Sequence, residues 1–502
     1  MANLIVCCDG TWNTPDQEDN GLPSPTNVVK IHSAVAKLDA NGIEQKKFYR
    51  PGVGTSGGWL TRLRGGGLGV GLSHDIKSAY KWLSDTYEQG DDIYMFGFSR
   101  GAYAVRSLAG LLGRCSLLRF DKKPLEEAEK WCRVDAAYSA YRALKPGQPW
   151  VSHFPKHTEV KVKFLGVWDT VGALGIPDEL FINIIDRPRK FQFHDTELGS
   201  IVATARHALA IDERRQTFTP TLWTKFHPNC DVEQKWFAGV HGDVGGSYFA
   251  DGLGDITLEW MMRQAEAKDL VFRNGAFTQL KPNHMSVMHN SVKGIFARLR
   301  SLPRSVPNLK VGNNNVDSSA RKRQNDPPLS QSGYWKTKTL AQGQCHMLDV
   351  YARERWNATG LFLEKSVKYN FKATGEWLDA SIHCSPDGPV PGFQAGKIAY
   401  AVTAFSDWLQ HHRRRKPGNA SAVARGARRE ETMPWFCLVG VIANSSGVDP
   451  DTHKLSPHET FKIGSSCTYT PKESGYLYCF ANDLWSFYGN NKGSVRLTVK
   501  RL

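Results

Sequence analysis

The first 290 residues alternate between two hydrophobic rhythms. Short apolar runs, too brief for helices, recur at Leu4 to Cys8, Ile93 to Phe98, Val160 to Trp168 and Trp236 to Val240. Each is bounded by polar or glycine-rich sequence and reads as a buried strand. Between them the apolar positions fall three and four residues apart. Ile76, Tyr80, Leu83 and Tyr87 form one stripe over 72–88; Ala102, Val105, Leu108, Ala109 and Leu112 form another, with Gly113 placed to stop it. Residues 178–212 read as mixed and partly helical, which gives His207 a helix-like setting. Strands alternating with helices predict an α/β domain, a mainly parallel sheet covered on both faces. Reacting groups in such sheets gather at the carboxyl ends of the strands.

Past about residue 366 helical spacing gives way to short β-rich runs: "YNFKATG", "KIAYAVTAF", "FCLVGVIA", "FKIG", "YLYCFAND" and "SVRLTVKRL". Gly, Pro, Asp and Asn separate them, the pattern of an all-β sandwich. The expected organisation is therefore an α/β domain over 1–366 and a β-sandwich over 367–502. Within the first, residues 283–355 form a candidate lid region; its "VKGIFARLRSLPRSV" is a short basic amphipathic pattern that reads as a lid or a surface helix. His346 sits in a helix-like context.

Composition narrows the class. A chain of 502 residues calls for two or three domains. No apolar run approaches a membrane span, and "MANLIVCCDG" lacks the basic start of a signal peptide. Cytoplasmic synthesis without a Sec signal is expected, with export by a route that reads no such signal left open. Ten cysteines without a C-x-x-C pair read as thiols from a reducing compartment. The net charge of +15 is uneven: "HHRRRKPGNASAVARGARREE", 411–431, holds seven Lys/Arg against two Glu. That stretch reads as a solvated loop or as a contact for an anionic surface such as phospholipid. Nucleic acid is not expected, because no aromatic residues are interleaved for base stacking.

The candidate chemistry begins at "GFSRG", Gly97 to Gly101, a Gly-x-Ser-x-Gly pattern between a strand and a helix. That context makes Ser99 a candidate nucleophile on a sharp turn over a helix N-terminus. Gly54 to Gly58 fits the same pattern without strand or helix around it and reads as loop. A serine needs a histidine base, and the base needs a carboxylate. Asp169 and His241 each end a predicted strand, and Ser99, Asp169 and His241 occur in the order expected of α/β-hydrolases. Asp243 is the alternative acid; His207, His289 and His346 are the other candidate bases. Asp9 also ends a strand and is read as structural. The backbone N–H of Arg100 and an amide of the Gly10-Thr11 turn are the candidate oxyanion donors. In the C-terminal region Asp483, Asn490 and Asn491 crowd oxygen donors into one loop. Such donors suit Ca²⁺, although they are also ordinary turn residues.

These segments carry two resemblances. "CCDGTWN", "RPGVGT", "GFSRGAYAVRSLAGLL", "FLGVWDTVGALGIP", "HALAIDERRQTF" and "WFAGVHGDVGGSY" resemble the signature segments of the bacterial type VI secretion lipase effectors of the first class. The resemblance implies an α/β-hydrolase catalytic domain of phospholipase A type, with the family's Ser, Asp and His on Ser99, Asp169 and His241. "FANDLWSFYGNNKGSVRLTV" resembles the calcium loop of the calcium-dependent galactophilic bacterial lectins. It implies Asp483, Asn490 and Asn491 as side-chain ligands, with the Phe487 carbonyl taking the place of a threonine carbonyl. The basic stretch from His411 replaces the lectins' sugar-contacting loop.

The resulting expectation is a serine ester hydrolase that cleaves membrane phospholipid through an acyl-enzyme and needs no catalytic cofactor. It includes export by type VI secretion, with an immunity or secretion-apparatus protein and carbohydrate among the candidate partners. An esterase of acylated saccharide is one alternative. A carbohydrate- or surface-binding protein with an inactive hydrolase scaffold is another.

Overall fold

The computed structural model describes all residues except 12, 53–66, 121–124, 145–147, 149, 172–196, 311–313, 391–428, 446 and 448–455. The Gly54 to Gly58 pattern, the "KIAYAVTAF" run and residues 411–428 of the basic stretch thus lie outside the described residues. The chain divides into two compact units. One comprises Met1–Arg304, Gly312–Tyr334 and Gly447–Ser456; the other comprises Ser305–Val311, Trp335–Ser446 and Pro457–Leu502.

The first unit is built on six parallel strands: β1 Asn3–Cys8, β2 Gln45–Arg50, β3 Asp92–Phe98, β4 Val162–Trp168, β5 Val202–Ala210 and β6 Asp231–Phe237. Their order is β6-β5-β4-β3-β1-β2, and every pairing is parallel. Both faces are buried, and the strand period of two divides the side chains between two cores. Leu4, Val6, Ile93, Met95 and Leu165 face one core with helices α2 Gly67–Thr86, α3 Arg100–Cys115 and α4 Glu127–Ala143. Ile5, Cys7, Tyr94, Phe96 and Phe164 face the other with α1 Asn27–Ala34 and α6 Gly252–Glu266. Between β6 and α6 lies a single-turn helix, α5 His241–Gly245.

Three sequence expectations change. His207 lies in β5, not in a helix, because 202–210 is paired on both sides by β4 and β6. His346 likewise lies in a strand, β7 Cys345–Tyr351. His241, expected to end the Trp236 to Val240 strand, instead opens a helix, because the strand stops at Phe237.

The second unit is antiparallel. Its remaining strands are β8 Asn357–Leu363, β9 Tyr369–Thr374, β10 Trp377–Asp379, β11 Ile382–Ser385, β12 Gly388–Pro389, β13 Leu438–Ala443, β14 Glu459–Lys462, β15 Ser466–Tyr469, β16 Gly475–Ala481 and β17 Asn491–Arg501. One sheet runs β12-β11-β10-β17-β9-β15, with β7 also paired to β17; the other runs β8-β16-β13-β14. Phe371, Trp377, Leu438, Leu477, Val495 and Leu497 belong to its core. Among the described residues no helix is long and apolar enough to cross a membrane. Among the described residues no two cysteines form a disulfide, and most of the ten are buried.

Candidate active site

The sharp turn at Ser99 is forced by its neighbours. A Cβ on Gly97 would lie 2.5 Å from the Gly101 carbonyl oxygen, and one on Gly101 would lie 2.1 Å from the Cys8 carbonyl oxygen. Only glycine lets α3 pack so closely against β1 and β3. Ser99 itself takes φ 57°, a left-handed conformation that is costly for a non-glycine residue. Its N–H is held by the Trp168 carbonyl at 3.0 Å, so the serine sits in register beside the end of β4. The next N–H, that of Arg100, opens α3.

Asp169 follows β4 directly and is also left-handed, φ 40°. It is fully buried. Its Oδ2 lies 2.6 Å from His241 Nδ1, its Oδ1 accepts the Ala210 N–H at 2.9 Å, and its main-chain N–H donates to the Ala208 carbonyl at 2.7 Å. Arg304 adds a fork: Nη1 to Oδ1 at 2.6 Å and Nη2 to Oδ2 at 2.9 Å. The same guanidinium donates to the Ala210 and Phe218 carbonyls at 2.7 and 2.6 Å. Burial pushes the Asp169 carboxyl upward, but Arg304 and the His241 hydrogen bond outweigh it and hold the group far below the usual carboxylate range. Because an ionised carboxylate can only accept, Nδ1 of His241 carries the proton and Nε2 keeps its lone pair.

His241 is packed between two rings, Phe98 at 4.6 Å and Phe218 at 4.9 Å between centroids. Burial lowers its pKa more than the Asp169 contact raises it, which favours the neutral ring. Its main-chain N–H donates to Glu213 Oε2 at 3.2 Å. Glu213 is buried in turn. Burial raises its carboxyl, but the Arg215 fork prevails and brings it down to about 2.

The alternative acid is committed elsewhere. Asp243 accepts the Val240 N–H at 2.9 Å, which caps α5, and its Oδ1 lies 2.6 Å from His289 Nδ1. The short helix thus carries two histidine–carboxylate contacts, His241 with Asp169 and His289 with Asp243. His207 is sealed inside the sheet, with Thr170 N–H donating to its Nε2 at 3.1 Å. His346 Nε2 lies 3.4 Å from Lys338 Nζ in the second unit. Asp9 accepts from the Gly10 N–H, Thr26 Oγ1 and Tyr49 OH at 2.7, 2.6 and 2.9 Å, an arrangement that ties the β1 turn together. The first of these contacts occupies the Gly10 N–H, leaving Thr11 as the amide of that turn to consider for an oxyanion. A Cβ on Gly10 would approach Ser99 Cβ to 3.0 Å, so the turn lies against the serine.

Sequence reasoning missed Arg304, Glu213 and Arg215. The last two lie in the quoted "HALAIDERRQTF" segment, where a signal existed. Arg304 lies in "LRSLPRSV", whose basic spacing reads as a lid or surface helix. The structure instead gives a 3₁₀ turn at Gly294–Arg298 and buries Arg304.

In the second unit Asp483 and Asn491 are buried together, with Asn491 Nδ2 donating to Asp483 Oδ2 at 3.0 Å. Asn490 Nδ2 instead donates to Asp379 Oδ1 at 3.1 Å. The Phe487 carbonyl accepts the Asn490 N–H at 3.2 Å. Burial, and then the nearby Asp379, push the Asp483 carboxyl up to about 7.

Two solved structures overlap with the chain at low TM-scores that carry no functional argument. An uncharacterized protein from Pseudomonas aeruginosa is 18% identical with a TM-score of 0.32, covering 55% of this chain and 47% of that one. The N-terminal domain of EclA, described as a PllA-like lectin, is 16% identical with a TM-score of 0.19, covering 31% of this chain and 95% of that one. An uncharacterized protein of Saccharomyces cerevisiae is 32% identical over 244 residues, 44% of this chain; the match spans 33% of that relative's length. Residues 2–264, over half of the chain, match the family described as "T6SS, Phospholipase effector Tle1-like, catalytic domain", and the chain belongs to that family.

Proposed function

We propose that this member of a phospholipase-effector family is a serine carboxylic ester hydrolase of phospholipase A type, exported as an effector by type VI secretion. In this reading Ser99 Oγ attacks the ester carbonyl while His241 Nε2 takes its proton. The Arg100 and Thr11 amides hold the oxyanion. His241 then returns the proton to the leaving alcohol, and water releases the acyl group from Ser99 by the same steps. Asp169 fixes the tautomer and stabilises the imidazolium. The observation that supports this most is the 2.6 Å contact between His241 and a buried, ionised Asp169, beside a serine on a left-handed turn.

The test is turnover of p-nitrophenyl esters and of phospholipid vesicles by the full chain. Ser99→Ala should lose on the order of 10⁴-fold or more in rate. Asp169→Asn should be far more damaging than Asp243→Asn, because Asp243 serves His289 rather than His241. Release of fatty acid and lysophospholipid supports the phospholipase reading. Activity confined to acylated saccharide would replace the substrate, and Ser99-independent turnover would reject the mechanism.

We also propose that the second unit holds Ca²⁺ through Asp483, Asn490, Asn491 and the Phe487 carbonyl. The residues suit the ion: among the described residues Asn491 Oδ1 is buried with no hydrogen-bond partner, and the buried Asp483 carboxylate meets the Leu484 N–H and Asn491 Nδ2 but no cation. A hard cation satisfies both needs. It would have no part in ester cleavage.

A further inference from the structure

Residues 289–304 lie beyond the 2–264 family match, yet each of three carboxylates around His241 takes a partner from them. Asp169 receives the Arg304 fork at 2.6 and 2.9 Å. Glu213, which accepts the His241 N–H, receives Ser291 Oγ on its other oxygen at 2.8 Å. Asp243, two residues past His241, receives His289 Nδ1 at 2.6 Å and the His289 N–H at 3.1 Å. Main-chain bonds lay the segment down: Leu302 N–H to the Arg214 carbonyl at 2.8 Å and Gln216 N–H to the Arg300 carbonyl at 3.4 Å. Phe296 then packs edge-on against Phe218, the ring that borders His241, with Arg215 stacked over Phe218 at 3.5 Å.

We propose that residues 289–304 form a clamp completing the catalytic site from outside the family's catalytic domain, with Arg304 the positioning residue for Asp169. This rests on the hydrolase reading above. A buried carboxylate tied only to an imidazole and one amide can still turn about its side-chain torsions. The planar guanidinium fork fixes both oxygens at once and pairs a charge that burial would otherwise penalise heavily. Arg304 is itself anchored by the Ala210 and Phe218 carbonyls, so it transmits the position of β5 and the following loop to Asp169. It touches no reacting atom. Its effect on rate arises from where it holds the acid, and thereby the imidazole.

The test uses the full chain, reading the rate at which a fluorophosphonate labels Ser99 together with kcat and KM for a short soluble ester. Arg304→Gln should slow labelling and kcat by about 100-fold with little change in KM, the signature of a misplaced catalytic group. Arg304→Lys should restore part of the loss, since it keeps the charge without the fork. Ser291→Ala, a milder lesion that reaches only Glu213, should slow labelling several-fold and decides the matter alongside Arg304→Lys if Arg304→Gln does not fold. Labelling of folded Arg304 and Ser291 variants at the parental rate overturns the clamp while leaving the hydrolase reading intact. A parent that is never labelled at Ser99 overturns the hydrolase reading, and the clamp with it.

Discussion

A histidine whose ring nitrogens both face partners inside a sheet cannot take up a proton without losing one of them. His207 is such a residue: Nε2 accepts the Thr170 N–H at 3.1 Å, Nδ1 faces Gln234 Oε1 at 3.4 Å, and Trp223 packs across the ring. Protonating Nε2 would set N–H against N–H. Burial, reinforced by Arg106, lowers its pKa from 6.5 to about 3. Between these values the unfolded chain binds more protons than the folded one, so stability rises with pH there. The contribution is fully present above about pH 6.5 and is lost on acidification toward pH 3, at up to about 1.4 kcal/mol per pH unit. Urea unfolding of the full chain between pH 7 and pH 4.5 should therefore show a steeper loss than that of His207→Gln, which keeps an acceptor but cannot titrate. Parallel slopes would remove His207 from the acid sensitivity. The contrast with His241 is local: a similar burial, but a carboxylate rather than an amide oxygen on Nδ1.

At the scale of elements, legibility followed how local the signal was. The strand at Leu4 to Cys8, the serine turn and α3 could be read because their period and their glycines are set by immediate neighbours. The position of Ser99, Asp169 and His241, each marking the end of a short run, was legible for the same reason. β5 was not read as a strand: flanking strands cover both its edges, and its sequence "VATARHALA" mixes Ala with polar residues, so tertiary pairing decides it. Arg304 was illegible because its partner lies 135 residues away, and nothing in "LPRSV" distinguishes a buried guanidinium from a surface one. The loop proposed to hold calcium stands between these cases. Its Asp483, Asn490 and Asn491 are local, but Asp379, which accepts from Asn490 and raises the Asp483 carboxyl, comes from β10. Millimolar calcium should raise the melting temperature of the full chain through linkage, and Asp483→Ala should abolish that rise. An unmutated chain insensitive to calcium would leave the loop as a hydrogen-bonded turn.

For the molecule as a whole, the excess of positive charge raises the question of what it meets. The charge density of 411–431 predicts arginines that are solvated or bound to anions. Arg429 departs from this. Its guanidinium lies 3.5 Å from the Phe480 ring centroid and 4.2 Å from that of Trp356, with Trp485 and Tyr488 at 5.0 and 5.6 Å, and Nη1 donates to Tyr488 OH at 3.0 Å. Aromatic faces have taken up that cation, so it belongs to the second unit's packing and not to an outer surface charge. The proposal for a lipid surface then rests on Arg413, Arg414, Arg415, Lys416, Arg425 and Arg428. Each cation near an anionic bilayer contributes about 1 kcal/mol, within a Debye length of about 10 Å at 0.1 M salt. Replacing Arg413, Arg414 and Arg415 by Gln should thus weaken binding to phosphatidylserine vesicles by about 3 kcal/mol at low salt, and added salt should erase the difference. Arg429→Gln should behave in the opposite way, lowering the melting temperature while changing vesicle binding little. Hydrolysis of a small soluble ester should be unaffected by the triple replacement, since Ser99, Asp169 and His241 belong to the first unit. Equal vesicle binding by the triple variant and the parent at low salt would exclude the stretch as the membrane contact.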